Sequence, residues 1–574
     1  MMIWLVSIFL PLVLAPVVLF GGFRSGWYGA IVGGAALPAF VAGLLAPATA
    51  EIPWLLLESS FGLDQTRQAL LSFTALLWGF AGIYAGSYLR NDPSRKSFGF
   101  FFLLAMAGNL GLIVSQDVPG FYTYFVLMTF ASYGMVIHAR TREALRAGRI
   151  YLIMSIMGEI LLLAGIYFVV AAADSFLLED MGPALGAMEN RNVALSLLLA
   201  GFGVKAGAIP LYFWLPLAHP VAPTPASAVL SGAMIKAGLL GWIHFSPAGS
   251  AAVPGWSGIL IAAGLLAAFG AVVIGLFQND SKTNLAYSSI SQMGLMTVLF
   301  GTGLASMEAW ETAAPALALY AWNHGLAKGA LFLGVGVALA ARRGNPWVTA
   351  GLAFAALSIA GAPLTGGEFT KYGLKETVVF APDGWRNTVL WLLPLSALGT
   401  SLLLGRFLWL CWHKMGTAKE QGSARTLGTP WVVLLGLVAV GVPFANTYLG
   451  MGIPRPSLGF GSFVEAIGPI AAGAAILAAA ARIPARKRYF PNVPPGDFIV
   501  VFERLVTFVR ETWRKKGLPD VTHGPINFVP IVDRLITMEG TRGIMDRVER
   551  RLGAWNVVGV LIALIALGFY FLLI

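Results

Sequence analysis

Six basic side chains interrupt apolar stretches of this sequence: Lys205, Lys236, Lys328, Lys371, Lys375 and Arg406. Glu159 stands inside the apolar run 150–170, and His219, His244 and His324 have similar surroundings. A charge at bilayer depth costs roughly 3 kcal/mol on insertion scales and persists by facing a partner or an aqueous cavity. The chemistry open to these residue types is proton transfer. An ammonium taken out of water gives up its proton more readily, and a carboxylate beside it restores the hold, so joining or separating the two moves a proton. Histidines between lysines extend that exchange into a relay. Lys375 and Arg406 suit snorkelling to the headgroups, whereas Lys205 and Lys236 have apolar flanks on both sides. The histidines are not spaced four apart and no carboxylate joins them on one helical face, so no metal site is expected.

The elements that position these groups must be broken helices. Lys205 is followed by Ala-Gly-Ala-Ile-Pro210 and then Pro216, so its helix ends just beyond the lysine and frees backbone groups that only a polar cavity or the protein interior satisfies. Lys371 follows Gly361-Ala-Pro363-Leu-Thr-Gly366-Gly367-Glu368 and adjoins a second break. One broken, lysine-bearing helix in each half points to two inverted repeats with a site in each.

The rest of the chain fits that reading. It has 574 residues, 57% of them hydrophobic and 11% charged, with mean hydropathy +0.76, against about 25% charged in soluble domains. A soluble multidomain enzyme is excluded. Runs such as 1–20 and 555–574 are apolar at consecutive positions rather than alternating, so the spanning elements are helices and not barrel strands. The expected fold is an all-α polytopic membrane protein of about 14–16 spanning helices. It divides into N-terminal helices (1–97), a first inverted-repeat half-channel of five helices (98–245) and a second (256–410). C-terminal helices (430–481), an amphipathic surface segment (482–553) and a final spanning helix (554–574) complete it. Residues 1–20 read as a retained helix rather than a signal peptide. The spans include 27–47, 193–217, 225–245 and 347–380.

Lys and Arg in alternate connections number fourteen on one side, Arg90, Arg95, Arg140 and Arg342 among them, and four on the other: Arg67, Arg191, Arg386 and Arg455. The richer side is the cytoplasmic one, so both termini are expected outside. The segment 482–553 carries fourteen basic and eight acidic residues and belongs on the cytoplasmic face. The one cysteine, Cys411, leaves no disulfide or four-cysteine iron–sulfur cluster within this chain. No cofactor and no nucleic-acid partner are expected. Gly201-x-Gly203 and Gly334-x-Gly336 read as helix packing, since no strand precedes them.

The run Gly203-Val-Lys205-Ala-Gly-Ala-Ile-Pro210-Leu-Tyr-Phe-Trp214-Leu-Pro216-Leu-Ala-His219-Pro220-Val-Ala-Pro223-Thr-Pro225, continued to Lys236, resembles the antiporter-like proton-translocating subunits. These occur in respiratory complex I, Mrp-type cation/proton antiporters, membrane-bound hydrogenases and formate hydrogenlyases. The His-Pro-x-Ala-Pro form is most similar to the hydrogenase-4 and Mrp branches. Asp280 to Gly294, Asn323-His324 to Phe332 and Gly361 to Lys371 support the likeness, which covers roughly 70–450.

The resemblance implies a relay through Lys205, Lys236, His324, Lys328 and Lys371, to which the pattern of polar residues inside apolar spans adds Glu159 and His219. In it Lys205 is central to the first half-channel, Lys236 the link, His324 and Lys328 the second entry, and Lys371 its terminus. It also implies a lateral arm in the C-terminal segment, an inner-membrane location and other membrane subunits as partners in a hetero-oligomeric complex. The family's fifth-helix glutamate is replaced here by Val126. Glu159, one helix later, could stand in for it, or serve a neighbouring helix or an adjacent subunit instead. Open alternatives are Na+/H+ exchange driven by an ion gradient, coupling to a peripheral redox arm, coupling to inorganic-carbon uptake, and, from another class, a quinone-binding redox subunit.

Overall fold

The computed structural model describes residues 2–45, 49–52, 59–417, 424–456, 459–482 and 493–496. The expected surface segment and final helix therefore lie outside the described residues. Helices α1 (Met2–Phe20), α2 (Ser25–Gly34) and α3 (Leu37–Leu44) precede an antiparallel hairpin of β1 (Thr49–Ile52) and β2 (Ser59–Gly62). The span expected at 27–47 is thus two helices, because the chain turns at Ala35–Ala36 and Pro38 restarts it in the first turn of α3.

From there α4 (Gln65–Tyr88), α5 (Arg95–Val114), α6 (Val118–Val136), α7 (Arg142–Ala173), the short α8 (Leu178–Ala187), α9 (Arg191–Ala206) and α10 (Trp214–Val221) follow. Next come α11 (Thr224–Val229), a π-helical turn (Leu230–Met234) and α12 (Ile235–His244). The order then recurs as α13 (Pro254–Leu276), α14 (Ser281–Gly303), α15 (Met307–Ala340), α16 (Pro346–Ala360), α17 (Gly366–Thr377) and α18 (Trp385–Lys414), ahead of α19 (Ala424–Tyr448) and α20 (Phe460–Arg482). Counted from α5 and from α13, three long helices are followed by a broken fourth and then a fifth, with the short α8 interposed in the first series.

Polar residues between apolar runs start these helices. Asp64 caps α4 through Arg67 N, Asp117 caps α6 through Gly120 N, and Asp280 caps α14 through Lys282 N and Thr283 N. Each side-chain oxygen satisfies backbone donors that a helix start leaves open.

Ten described helical segments are long and apolar enough to cross a membrane. Helices α6, α14 and α15 have 19, 23 and 34 residues but carry more polar side chains. They can do so because neighbours bury them: nearly every residue of α14 is inside, and α15 packs on α4, α14, α16, α17 and α19. By contrast only 11% of α20 is buried, and its sequence is correspondingly apolar all round. Close helix contact is built on small residues. A Cβ on Gly158 of α7 would meet Val204 and Gly201 of α9, and one on Gly165 would meet Leu198. Ascending positions on one helix thus oppose descending ones on the other, and α7 and α9 run antiparallel.

Candidate functional site

Helix α9 stops one residue after Lys205, at Gly207, whose φ of +71° is open to glycine at little cost. Of the two prolines expected to break it, Pro210 lies in the break, whereas Pro216 sits in the first turn of α10, where a missing N–H is harmless. The break frees the Val204 carbonyl, which accepts from Trp214 Nε1 at 2.7 Å. Trp214 is thereby held against Lys205.

Lys205 is buried, and its Nζ donates to Tyr151 Oη at 2.9 Å. That hydroxyl also lies 2.9 Å from Thr129 O and 2.5 Å from Ser132 Oγ. The ammonium stands 5.2 Å from the centroid of Tyr151 and 5.9 Å from those of Phe125 and Trp214, a distance at which ring faces attract a cation. Glu159 shares this place: it and Lys205 line one cavity with Thr129, Ser155, Gly158, Gly201 and Val204, with room for about one water. Glu159 Oε2 is buried without a hydrogen-bond partner. The carboxylate and the ammonium thus face a common space, while the direct partner of Lys205 is a tyrosine that the charged-residue pattern did not single out.

Lys236 follows the π-helical turn, which was not expected from sequence. Such a turn detaches carbonyls from the regular ladder, and Lys236 Nζ donates to Ser231 O at 2.9 Å. The same nitrogen lies 2.6 Å from His324 Nδ1, hydrogen-bond distance at which either nitrogen donates to the other according to which holds the proton. His324 Nε2 is buried and unpartnered. Four residues further along α15, Lys328 donates to Leu285 O at 3.1 Å. His219 is fully buried with both ring nitrogens unpartnered and its ring stacked on Phe332, centroids 4.6 Å apart.

The second break differs. Ala360 ends α16, Gly361 takes φ +87°, and Pro363 lies in the connection, but Gly366 and Gly367 are the first residues of α17 rather than part of the break. Gly367 is required there because a Cβ would collide with Ser358 O. Lys371 lies on α17, beyond the break, and donates to Ala360 O. Lys375 pairs with Glu465 at 2.5 Å on the surface, and Arg406 Nη2 reaches Asn279 Oδ1 at 2.9 Å. The structure therefore joins Glu159 with Lys205, and Lys236 with His324. The bonds of Lys328 and Lys371 go to backbone carbonyls.

Two further clusters went unread in the sequence. Arg67, counted as a loop charge, is buried at the head of α4: its guanidinium donates to His244 Nε2 at 3.1 Å and Ser115 O at 2.9 Å and pairs with Asp64 at 3.2 Å. A cap position fixes it there, since Asp64 needs the Arg67 amide. At the opposite end of α6, His138 Nε2 meets Asp92 Oδ2 at 2.9 Å. Neither pair follows a local spacing rule; Arg67 and His244 are 177 positions apart.

The family model described as NADH:quinone oxidoreductase/Mrp antiporter membrane domain matches residues 115–393, the stretch that holds every one of these relay candidates. Over those residues, just under half of its length, the chain matches the antiporter-like membrane domain. Hydrogenase-4 component B of Escherichia coli is 26% identical over 360 residues, 58% of this chain and 52% of that one. Na(+)/H(+) antiporter subunit A1 of Staphylococcus aureus is 31% identical over 278 residues, covering 46% and 34%. This antiporter-like chain thus spans about half or less of the length of those relatives. In the solved Mrp complex of Dietzia sp. DQ12-45-1b, a chain with 23% identity superposes with TM-score 0.72, over 99% of this chain and 62% of that one. The fold is the same.

Proposed function

We propose that this antiporter-like chain translocates protons as a membrane subunit of a larger hetero-oligomeric complex of the hydrogenase-4 or Mrp kind. The observation that carries the reading is the 2.6 Å contact between Lys236 and His324, two buried bases from different helices at a distance over which one proton can pass. With Lys205 and Glu159 on one cavity to its side, the arrangement supports a relay in which Glu159 draws a proton onto Lys205 and its release passes the charge to Lys236 and His324. Lys328 and Lys371 continue the row through the second half-channel (256–410), and His219 sits beside it. The first half-channel is 98–245. The charge asymmetry supports an inner-membrane setting with the arginine-rich connections cytoplasmic and both termini outside. A tag near Glu308 is then reached from outside and one after Arg425 from within.

The test uses vesicles holding the whole complex, driven by its own energy source. Lys236→Met is expected to assemble, because an apolar side chain inserts more easily, and to lose driven acidification. Normal acidification by the assembled variant would overturn the reading. If acidification needs Na+ in the opposite compartment, the movement is exchange; if it does not, protons move alone.

A further inference from the structure

One face of α6 changes character at the level of Lys205. Phe121, Phe125, Thr129 and Ser132 recur at spacings of four, four and three and so line a single face. Phe125 contributes a ring to the lysine's cage, Thr129 and Ser132 meet Tyr151 on one side of it, and Phe121 lies a turn away on the other.

On that second side four rings form a closed cluster. Phe121 stands 6.2 Å from Phe125, 6.0 Å from Phe202 and 5.6 Å from Phe245, between centroids. Phe202 stands 5.7 Å from Phe125 and 5.5 Å from Phe245. None is more than 3% exposed. Phe202 lies flush on α12, where a Cβ on Gly241 would strike its ring. Beyond the cluster, Phe121 meets the edge of His244, centroids 6.2 Å apart, and His244 holds Arg67. The rings thus separate two polar regions: the Lys205–Glu159 cavity and the Arg67–His244 cluster at the Asp117 end of α6. Rings carry no group that accepts or passes a proton, and a packed apolar region too tight for water gives a hydrated proton no partners. In the other direction Lys205 continues through hydroxyls, Tyr151 and then Ser132.

We propose that Phe121, Phe125, Phe202 and Phe245 form a dry seal that denies Lys205 access to the Arg67–His244 end of the first half, so that of the two membrane faces it exchanges protons only with the one at the Ser132 end. This rests on the proton-translocating reading. The seal decides which face of the membrane the lysine serves.

Truncating rings should open a wet route past the seal. The whole complex, reconstituted in vesicles without its energy source, is given a pH gradient, and the decay is followed with an enclosed pH dye. Phe121→Ala with Phe202→Ala is expected to speed decay several-fold over the unaltered complex; Phe121→Ala and Phe245→Ala alone are milder versions should the double variant fail to assemble. Adding Lys205→Met should return decay to the unaltered rate, since the leak runs through that lysine. A gradient held as well by assembled ring variants, or a leak indifferent to Lys205→Met, would overturn the seal. Driven acidification in the unaltered complex is measured separately, so failure of the transport reading is distinguishable from failure of the seal.

Discussion

The two broken helices hold their lysines in opposite ways. Lys205 ends the helix before its break and meets side chains: a tyrosine hydroxyl, three ring faces and a cavity it shares with Glu159. Lys371 comes after its break and returns to the carbonyl of Ala360, which the break itself set free. Its nearest carboxylate in sequence, Glu368, is turned away and caps the connection through Leu364 N at 2.7 Å. An ammonium held by a neutral carbonyl has no second titrating group to exchange with, whereas one that faces a carboxylate across about one water can be pulled between two states. On the proposed reading, the first break serves as a switch and the second as a terminus.

The sharpest way to break that comparison is at the lysines. Lys205→Met should lower driven transport on the order of a hundredfold, the scale of losing a positioned acid–base group. Lys205→Arg should be no better, because a guanidinium keeps its proton. Lys205→Arg with normal transport would mean that charge, not proton release, is what the site supplies.

The carboxylates come next. Glu159→Gln should cost about tenfold or more, since the amide keeps the shape and removes the anion that faces Lys205. Glu368→Gln, which retains an oxygen for Leu364 N, should stay within about twofold. Equal effects at the two would erase the distinction between switch and terminus. Near-normal transport in Glu159→Gln would leave Lys205 without the partner proposed for it.

Among the described residues, Tyr151 has no counterpart at the second break, where Lys371 bonds Ala360 O. Tyr151→Phe removes one bond from a charged donor, worth roughly 1.5–3 kcal/mol, while the ring face remains. Transport should fall by about tenfold. An unchanged rate would assign Tyr151 to packing.

Much of this was legible beforehand because membrane proteins write charge sparingly. Lys205, Lys236, His324 and Glu159 stand out against apolar neighbours, and Gly207 and Pro210 mark the first break at the right residue. What stayed hidden has a common cause. Tyr151, Ser132 and Phe202 look like ordinary span residues, since hydroxyls and rings are tolerated in apolar helices and only three-dimensional pairing gives them a role. Arg67 was misplaced because a charge near a helix start reads as a loop charge, and only the fold brings His244 to it. The hairpin at Thr49–Gly62 escaped because strands of four residues leave no mark in a hydropathy reading. At the second break, counting Gly366 and Gly367 as breakers missed that Gly367 serves close approach to Ser358 within the start of a helix.

The smallest effect separates the arginine-rich ends of the two halves. In the first, the His138 ring N–H donates to Asp92 and holds its carboxyl below the usual range, against the opposing pull of partial burial. A carboxyl whose folded value is depressed contributes stability that is present above its unfolded value, near pH 4, and is lost as pH falls through the folded value. In the second half Asp280 and Lys414 lie 3.4 Å apart with side chains 40% and 44% exposed, and exposed pairs of that kind contribute little. Asp92→Asn should therefore lower the thermal midpoint of the detergent-solubilised complex slightly at pH 6–7, and the difference should close below about pH 4. Asp280→Asn should leave the midpoint in place, because asparagine caps α14 as well as aspartate does. A deficit in Asp92→Asn that persists unchanged into acid would show that the carboxylate's charge is not what the histidine holds. A larger deficit in Asp280→Asn than in Asp92→Asn would reverse the ranking of the two ends.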